Sequence, residues 1–142
     1  MEYKVFDKTV FLRLDKNDEI TECLLSVAKK EKITLASVTG IGATDDLLVG
    51  VFDSSKRKYD EFHYTGDMEI NNLVGNITVK DFAPYVHLHI TATNGSGQLV
   101  GGHLLRGKIS LTAEIFITVT NASVSRKFDS AISINRLDFQ SV

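Results

Sequence analysis

The first apolar positions of the chain recur with the period of a β-strand. Residues 3–14 largely alternate between apolar and polar side chains, and the apolar members are Val5, Val10, Leu12 and Leu14. Successive side chains of a strand point to opposite faces of a sheet, so this alternation predicts a strand at the start of the chain.

From about residue 18 the period changes to that of a helix. The apolar residues fall at i, i+4, i+7 and i+8, on one helical face: they are Ile20, Leu24, Val27 and Ala28. Asn17 or Asp18 is available as the N-cap. Lys29 and Lys30 place positive charge at the C-terminal end, where the helix dipole favours it. The pattern predicts one principal α-helix over residues 18–31.

The remainder of the chain has the pattern of a series of strands. Runs of β-forming residues are separated by Gly, Asn, Asp or Ser, which is typical of antiparallel sheets. The runs are 33–39, 47–53, 58–65, 68–80, 85–93, 98–106, 109–120 and 131–139. With the helix they predict an α+β fold, a mainly antiparallel β-sheet with one principal α-helix, in a single domain over residues 1–142.

Two glycines, Gly40 and Gly42, stand in the segment TGIGATDD between two of these runs. A dinucleotide-binding loop would have a third glycine at position 45 and a helix after it, but Asp45 stands there and a strand pattern follows. Tight turning and close backbone approach explain the glycines better. Asp45 and Asp46 are candidate acids or bases in this expected turn, where carboxylates are usually solvated.

Composition narrows the classes of function. The net charge is −2 at pH 7, and the densest basic stretch, residues 56–58, is short, whereas phosphate binding requires a basic surplus or stripe. The first residues are charged where a signal peptide is apolar, and no run reaches the ~18 apolar residues of a membrane span. We therefore expect a soluble, cytoplasmic protein. Cys23 is the only cysteine, so a metal would need nitrogen and oxygen ligands.

Three histidines carry the strongest chemical signal. His87 and His89 lie two residues apart on one predicted strand, so their side chains share a face, about 7 Å apart along the strand. The turn TNGSGQ then leads to the next strand, which carries His103. An odd number of residues between paired positions would place His103 opposite His87 or nearly so, and an even number would turn it away.

This histidine group is a candidate site for a divalent metal. Three neutral imidazoles suffice to hold zinc or a similar ion with a fourth position open, and the alternative is hydrogen bonding in a polar pocket or at a subunit interface. Gly101 and Gly102, just before His103, would leave space for an ion, a water or the backbone of another chain. Glu69 is a further candidate acid, base or ligand-binding residue. His63 has no partner histidine nearby and is placed outside the site.

The same segment resembles a known family. PYVHLHITATNGSGQLVGGHLLRGKI, in which H-x-H is followed by G-G-H-L, is similar to the plants and prokaryotes conserved (PPC) domain. The similarity extends to FLRLDKNDEI, LASVTGIGA, EINNLVGNIT and the apolar strand TAEIFITV. The resemblance implies an antiparallel sheet with one main helix, assembly as a homotrimer, and a metal-binding unit formed by His87, His89 and His103.

The resemblance also raises the question whether the protein binds DNA. Plant members carry AT-hooks, which insert arginines into the minor groove, but here Arg106-Gly107 is followed by Lys108 without the second arginine or the proline. The leading interpretation is a homotrimeric PPC-type protein with a three-histidine site for a divalent metal, zinc in the first place, or for a polar ligand. The alternatives are a DNA-associated regulatory protein whose domain serves assembly, and a metal-dependent enzyme acting on a small molecule. TAEIFITV, apolar beyond simple alternation, is expected to be covered by a subunit interface or by the internal core.

Overall fold

The alternating segments of the chain pair into one eight-stranded sheet, with a single helix, in a computed structural model that describes residues 1–140. The elements are β1 Glu2–Phe6, β2 Thr9–Asp15, α1 Ile20–Lys30, β3 Ala36–Asp53, β4 Lys58–Lys80, β5 Ala83–Asn94, β6 Leu99–Val119, β7 Ser125–Asp129 and β8 Ile134–Asp138. Nearly all pairings are antiparallel, and the exception is a short parallel contact of β7 with β4. The predicted combination of a mainly antiparallel sheet with one helix is confirmed.

Three strands are much longer than the sequence runs from which they were predicted. β3, β4 and β6 contain 18, 23 and 21 residues, and each joins two predicted runs. In β3 the join is TGIGATDD, which continues the strand through register shifts between Gly40 and Gly42 and between Thr44 and Asp46. The turn predicted there is wrong, because β-bulges bend a strand without ending it. The predicted close approach is confirmed: a Cβ at Gly40 would lie 2.9 Å from the Ile115 side chain.

The first predicted strand is instead a hairpin. Residues 3–14 divide into β1 and β2, which pair from Glu2 with Arg13 to Phe6 with Thr9. The polar pair Asp7-Lys8 forms the turn, and Asp7 has a φ of 51°, as tight hairpin turns require.

The helix begins and ends close to the predicted bounds, and its four predicted apolar residues are all buried. Its cap differs from the prediction. The carboxylate of Glu19 accepts the N–H of Glu22 at 2.7 Å, while Asp18 accepts the N–H of Asp15 at 2.8 Å. Asp18 is therefore engaged in closing the turn before the helix, which leaves the N-cap position to Glu19.

Four of the strands close into a ring. β3 pairs with β4, β4 with β5, β5 with β6, and β6 again with β3, so each strand of the ring has a neighbour on both sides. α1 packs on β5 and β6, and its buried face joins the core of the sheet. This arrangement fixes β5, the strand of the histidine pair, between two long strands.

The strand TAEIFITV, residues 112–119 within β6, is covered on one face only. Ala113, Ile115 and Ile117 are buried in the core, whereas Phe116 points outward and is 42% exposed. Within the described chain, the internal core therefore covers the inner face and leaves the outer face open. Across residues 1–140, no helix is both long and apolar enough to cross a membrane.

Candidate metal centre

The structure brings the three predicted histidines together on neighbouring strands. His89 of β5 and His103 of β6 are direct cross-strand partners, and His87 lies two residues along β5. The ring centroids are 5.0 to 5.4 Å apart. One nitrogen from each ring lies within 4.8 Å of the corresponding nitrogens of the other two.

The turn between β5 and β6 sets this register. Thr93 pairs with Leu99, which leaves a loop of five residues, 94–98, and an odd number of residues between His89 and His103. The side chain of Asn94 holds the loop, because its Oδ1 accepts the N–H groups of Ser96 and Gln98, each at 3.0 Å. The odd number expected from the sequence is therefore found, and it places His103 opposite His89 and diagonal to His87.

The glycines near the site let strands approach each other closely. A Cβ at Gly101 would collide with the carbonyl of Ile90, and one at Gly102 would lie 2.8 Å from the carbonyl of Gly50. The open space expected beside His103 is thus filled by backbone of the same chain. Gly75 has the same function on β4, where a Cβ would collide with the carbonyl of His87. Direct contact of Gly101 or Gly102 with a ligand stays a prediction.

The environment keeps two of the histidines neutral. Burial, and then the positive charge of Arg126 and the neighbouring imidazoles, lower the pKa of His87 to about 4. Burial and the charges of His89 and Arg126 also lower the pKa of His103. A neutral imidazole keeps a lone pair for a metal, so at pH 7 these side chains are in the form that a divalent cation binds.

The donor atoms fit a metal ion. Zinc with tetrahedral ligands at about 2.0–2.1 Å places its nitrogens roughly 3.3 Å from one another, which small side-chain rotations reach from the separations seen here. Nδ1 of His103 is buried and has no hydrogen-bond partner among the described residues. A buried nitrogen without a partner is costly, and a metal or a bridging water would satisfy it.

A pocket of about 170 Å³ opens beside the histidines, and the C-terminal hairpin β7–β8 forms one wall of it. Tyr59 stacks on the ring of His103, with centroids 4.9 Å apart and planes inclined by 21°. Arg126 of β7 places its guanidinium 3.3 Å from Nδ1 of His87 and 5.0 Å from the ring of Tyr85. Sequence reasoning missed these three residues, because neither an isolated arginine nor tyrosines within strands form a recognisable motif.

The other candidates lie elsewhere. Glu69 is exposed on β4 opposite Thr93, in a separate groove with Ile41. Asp46 accepts hydrogen bonds from His63 at 2.7 Å and from Arg106 at 2.9 Å, and the bond from His63 is the main cause of its lowered pKa. His63 is thus outside the cluster, as predicted. No Asp or Glu within residues 1–140 lines the histidine pocket.

The protein is thus a small sheet protein with a ring of four strands, one packed helix and three clustered histidines. The sequence model of the Plants and Prokaryotes Conserved domain matches residues 1–121. The chain belongs to this family. The match ends before the β7–β8 hairpin, so the hairpin wall of the pocket lies outside the matched residues.

Solved structures of similar proteins share the fold. A protein from Bacteroides thetaiotaomicron VPI-5482 is 29% identical with a TM-score of 0.94, over 98% of this chain and 97% of that one. One from Ralstonia eutropha JMP134 is 30% identical with a TM-score of 0.90, over 96% and 95%. Both are provisionally described as DNA-binding. A metal-containing protein from Archaeoglobus fulgidus is 25% identical with a TM-score of 0.84, over 95% of each chain. No curated protein matches the sequence.

Proposed function

We propose that His87, His89 and His103 bind a divalent metal ion, zinc in the first place, and leave one coordination position open. The observation that carries the proposal is the convergence of three imidazole nitrogens within 4.8 Å, together with the buried, unpartnered Nδ1 of His103. The metal-containing relative from Archaeoglobus fulgidus supports it. A bound divalent ion would supply Lewis acidity at the open position.

The chain's own residues prepare this centre. The β5–β6 register holds two imidazoles across one strand pair, and stacking on Tyr59 restricts the ring of His103. The approach of β4 at Gly75 fixes the backbone of His87. Such preorganisation lowers the entropy lost when the three side chains bind one ion.

The test is elemental analysis of protein that has never contacted a nickel column. We expect about one equivalent of metal per chain, or uptake of one zinc by metal-free protein. His89→Gln and His103→Gln should each lower zinc affinity by at least tenfold, because the ion then keeps two imidazole ligands instead of three and water takes the vacated position. His63→Gln is the matched control, since the fourth histidine pairs with Asp46 outside the cluster, and it should leave affinity unchanged. Absence of both native metal and zinc uptake would overturn the proposal.

Assembly as a homotrimer is the second part of the proposal. Phe6, Phe11 and Phe116 form a contiguous aromatic face on the outside of the sheet, with ring centroids 5.6 and 4.6 Å apart. Their exposed fractions are 57%, 44% and 42%. A contiguous exposed apolar face marks an interaction surface, and a symmetric homo-oligomer is the common way to cover one. The expected native mass is about three times 15.7 kDa, measured by light scattering.

DNA association is the second candidate function, and the descriptions of two similar structures favour it. The densest basic stretch of this chain is engaged internally: Lys56 pairs with Asp53 and Asp60, and Arg57 donates to the carbonyl of Ser130. With a net charge of −2, we expect weak duplex binding whose affinity barely changes between 50 and 200 mM salt. A steep dependence on salt would favour the DNA function.

A further inference from the structure

Arg126 is a buried cation that has no counterion among residues 1–140. It is 9% exposed, and its guanidinium donates to Oγ1 of Thr78 at 2.8 Å, to the carbonyl of Asn135 at 3.0 Å and to Oδ1 of Asn76 at 2.8 Å. These acceptors are all neutral. No carboxylate of the described residues lies within ion-pair distance of this arginine. Burying a charge without a partner is expensive, so the position of Arg126 requires an explanation.

The same guanidinium adds its charge to the histidine site. It lies 3.3 Å from Nδ1 of His87, and its three hydrogen bonds to residues of β4 and β8 hold it in place. A divalent ion on the histidines would raise the local charge further, and no acidic side chain within residues 1–140 lines the pocket to balance it. An anion from outside would compensate both charges at once.

A residue in the wall of the pocket also holds a buried hydrogen-bond acceptor that lacks a donor. Oδ1 of Asn135 is buried and has no partner among the described residues, and Asn135 lines the pocket with Arg126. An amide oxygen in this position requires a donor, which a carboxylate alone cannot supply. The volume of about 170 Å³ is below the range of drug-sized sites and suits a molecule of a few carbon atoms.

We propose that this pocket binds a small hydroxycarboxylate. The carboxylate lies against Arg126 and completes the open coordination position of the metal, and a ligand hydroxyl donates to Oδ1 of Asn135. Because the metal provides the second attachment, the inference rests on the proposed function. It goes beyond that function by assigning the ligand class, the role of Arg126 and the role of the hairpin.

The experiment is a titration of cobalt-loaded and metal-free protein with glycolate, acetate, glycolamide and inorganic phosphate. Visible absorption of Co²⁺ reports a change of its fourth ligand, and calorimetry reports binding without metal. We expect glycolate to bind most tightly, acetate more weakly for lack of the hydroxyl, and neutral glycolamide not measurably. Arg126→Gln should weaken glycolate binding at least about tenfold, because a charge-assisted pair is lost.

The matched control is Arg136→Gln, an exposed arginine of the same hairpin that pairs with Asp129, which should bind glycolate like the wild type. If Arg126→Gln does not fold, as judged by circular dichroism, the comparison of glycolate with glycolamide on the wild-type protein decides whether the pocket requires a carboxylate. Cobalt uptake with no response to glycolate, or a stronger response to phosphate, overturns the ligand inference and leaves the metal site standing. Absence of cobalt uptake with glycolate binding that requires Arg126 overturns the metal site and supports the anion pocket.

Discussion

At the scale of single residues, the four histidines of the chain have different environments. His63 is half exposed and pairs with Asp46. His87 and His103 are turned into a pocket, where burial is the first cause of their lowered pKa values. Arg126 adds to this effect on both of them, so an arginine that the sequence did not single out helps to keep the two imidazoles neutral, which is the form that binds a cation.

The lowered pKa of His87 predicts how the metal-free protein responds to acid. Its pKa is about 4 in the fold and about 6.5 in the unfolded chain, so between these values the unfolded state binds more protons. The free energy of unfolding should therefore fall as pH decreases from 6.5 to 4, by about 1 kcal/mol after allowing for solvent screening. Urea denaturation at several pH values would measure this.

The His87→Gln variant isolates the contribution. It should reduce the dependence of stability on pH between pH 6.5 and 4 and leave the part due to His103, whose pKa is also lowered, whereas His63→Gln should keep the wild-type dependence. The carboxylates with lowered pKa values, such as Asp46, lose their contribution mainly below about pH 5, and this loss is common to the wild type and to His87→Gln. An unchanged slope in His87→Gln would show that another group titrates there.

At the scale of elements, the sequence predicts what depends on local pattern. The helix and the β5–β6 hairpin follow from periodicity, and the face shared by the three histidines follows from a loop with an odd count of residues. The continuity of β3 does not follow from the local pattern, because its bulges occur at a Gly- and Asp-rich segment that usually signals a turn. β7 was missed because its five residues have no clear alternation and pair mainly with β8.

The contact between β4 and β5 gives a prediction at this scale. Gly75→Ala places a Cβ against the carbonyl of His87, so the strands must separate or the backbone must shift. We expect a loss of about 1–3 kcal/mol in the free energy of unfolding and weaker zinc binding, because His87 moves with its backbone. Gly95→Ala is the control, since its Cβ would meet only the carbonyl of Asp67, at 3.9 Å. Equal melting temperatures of the two variants would refute the packing argument.

At the scale of the whole molecule, the proposed metal centre and the proposed interface are on separate parts of one chain. All three histidines come from the same subunit, whereas the aromatic face lies on β1, β2 and β6 away from the pocket. The pattern of residues 3–14 does not single out Phe6 and Phe11, but TAEIFITV is apolar beyond simple alternation, so an apolar outer face around Phe116 could be predicted from the sequence. Whether a partner covers this face could not be predicted, because alternation indicates only which side chains share a face.

This separation predicts that assembly and metal binding can be uncoupled. The double variant Phe11→Ser/Phe116→Ser removes the edge-to-face pair from the centre of the aromatic face and should convert a trimer to a monomer in light scattering. Phe82→Ser is the control, because Phe82 is fully exposed in the β4–β5 turn outside this face, and it should leave the mass unchanged. The monomer should retain its zinc, since no histidine ligand comes from another subunit. A wild-type protein that is itself monomeric would exclude the trimer, and loss of zinc with loss of assembly would show that the interface supports the site.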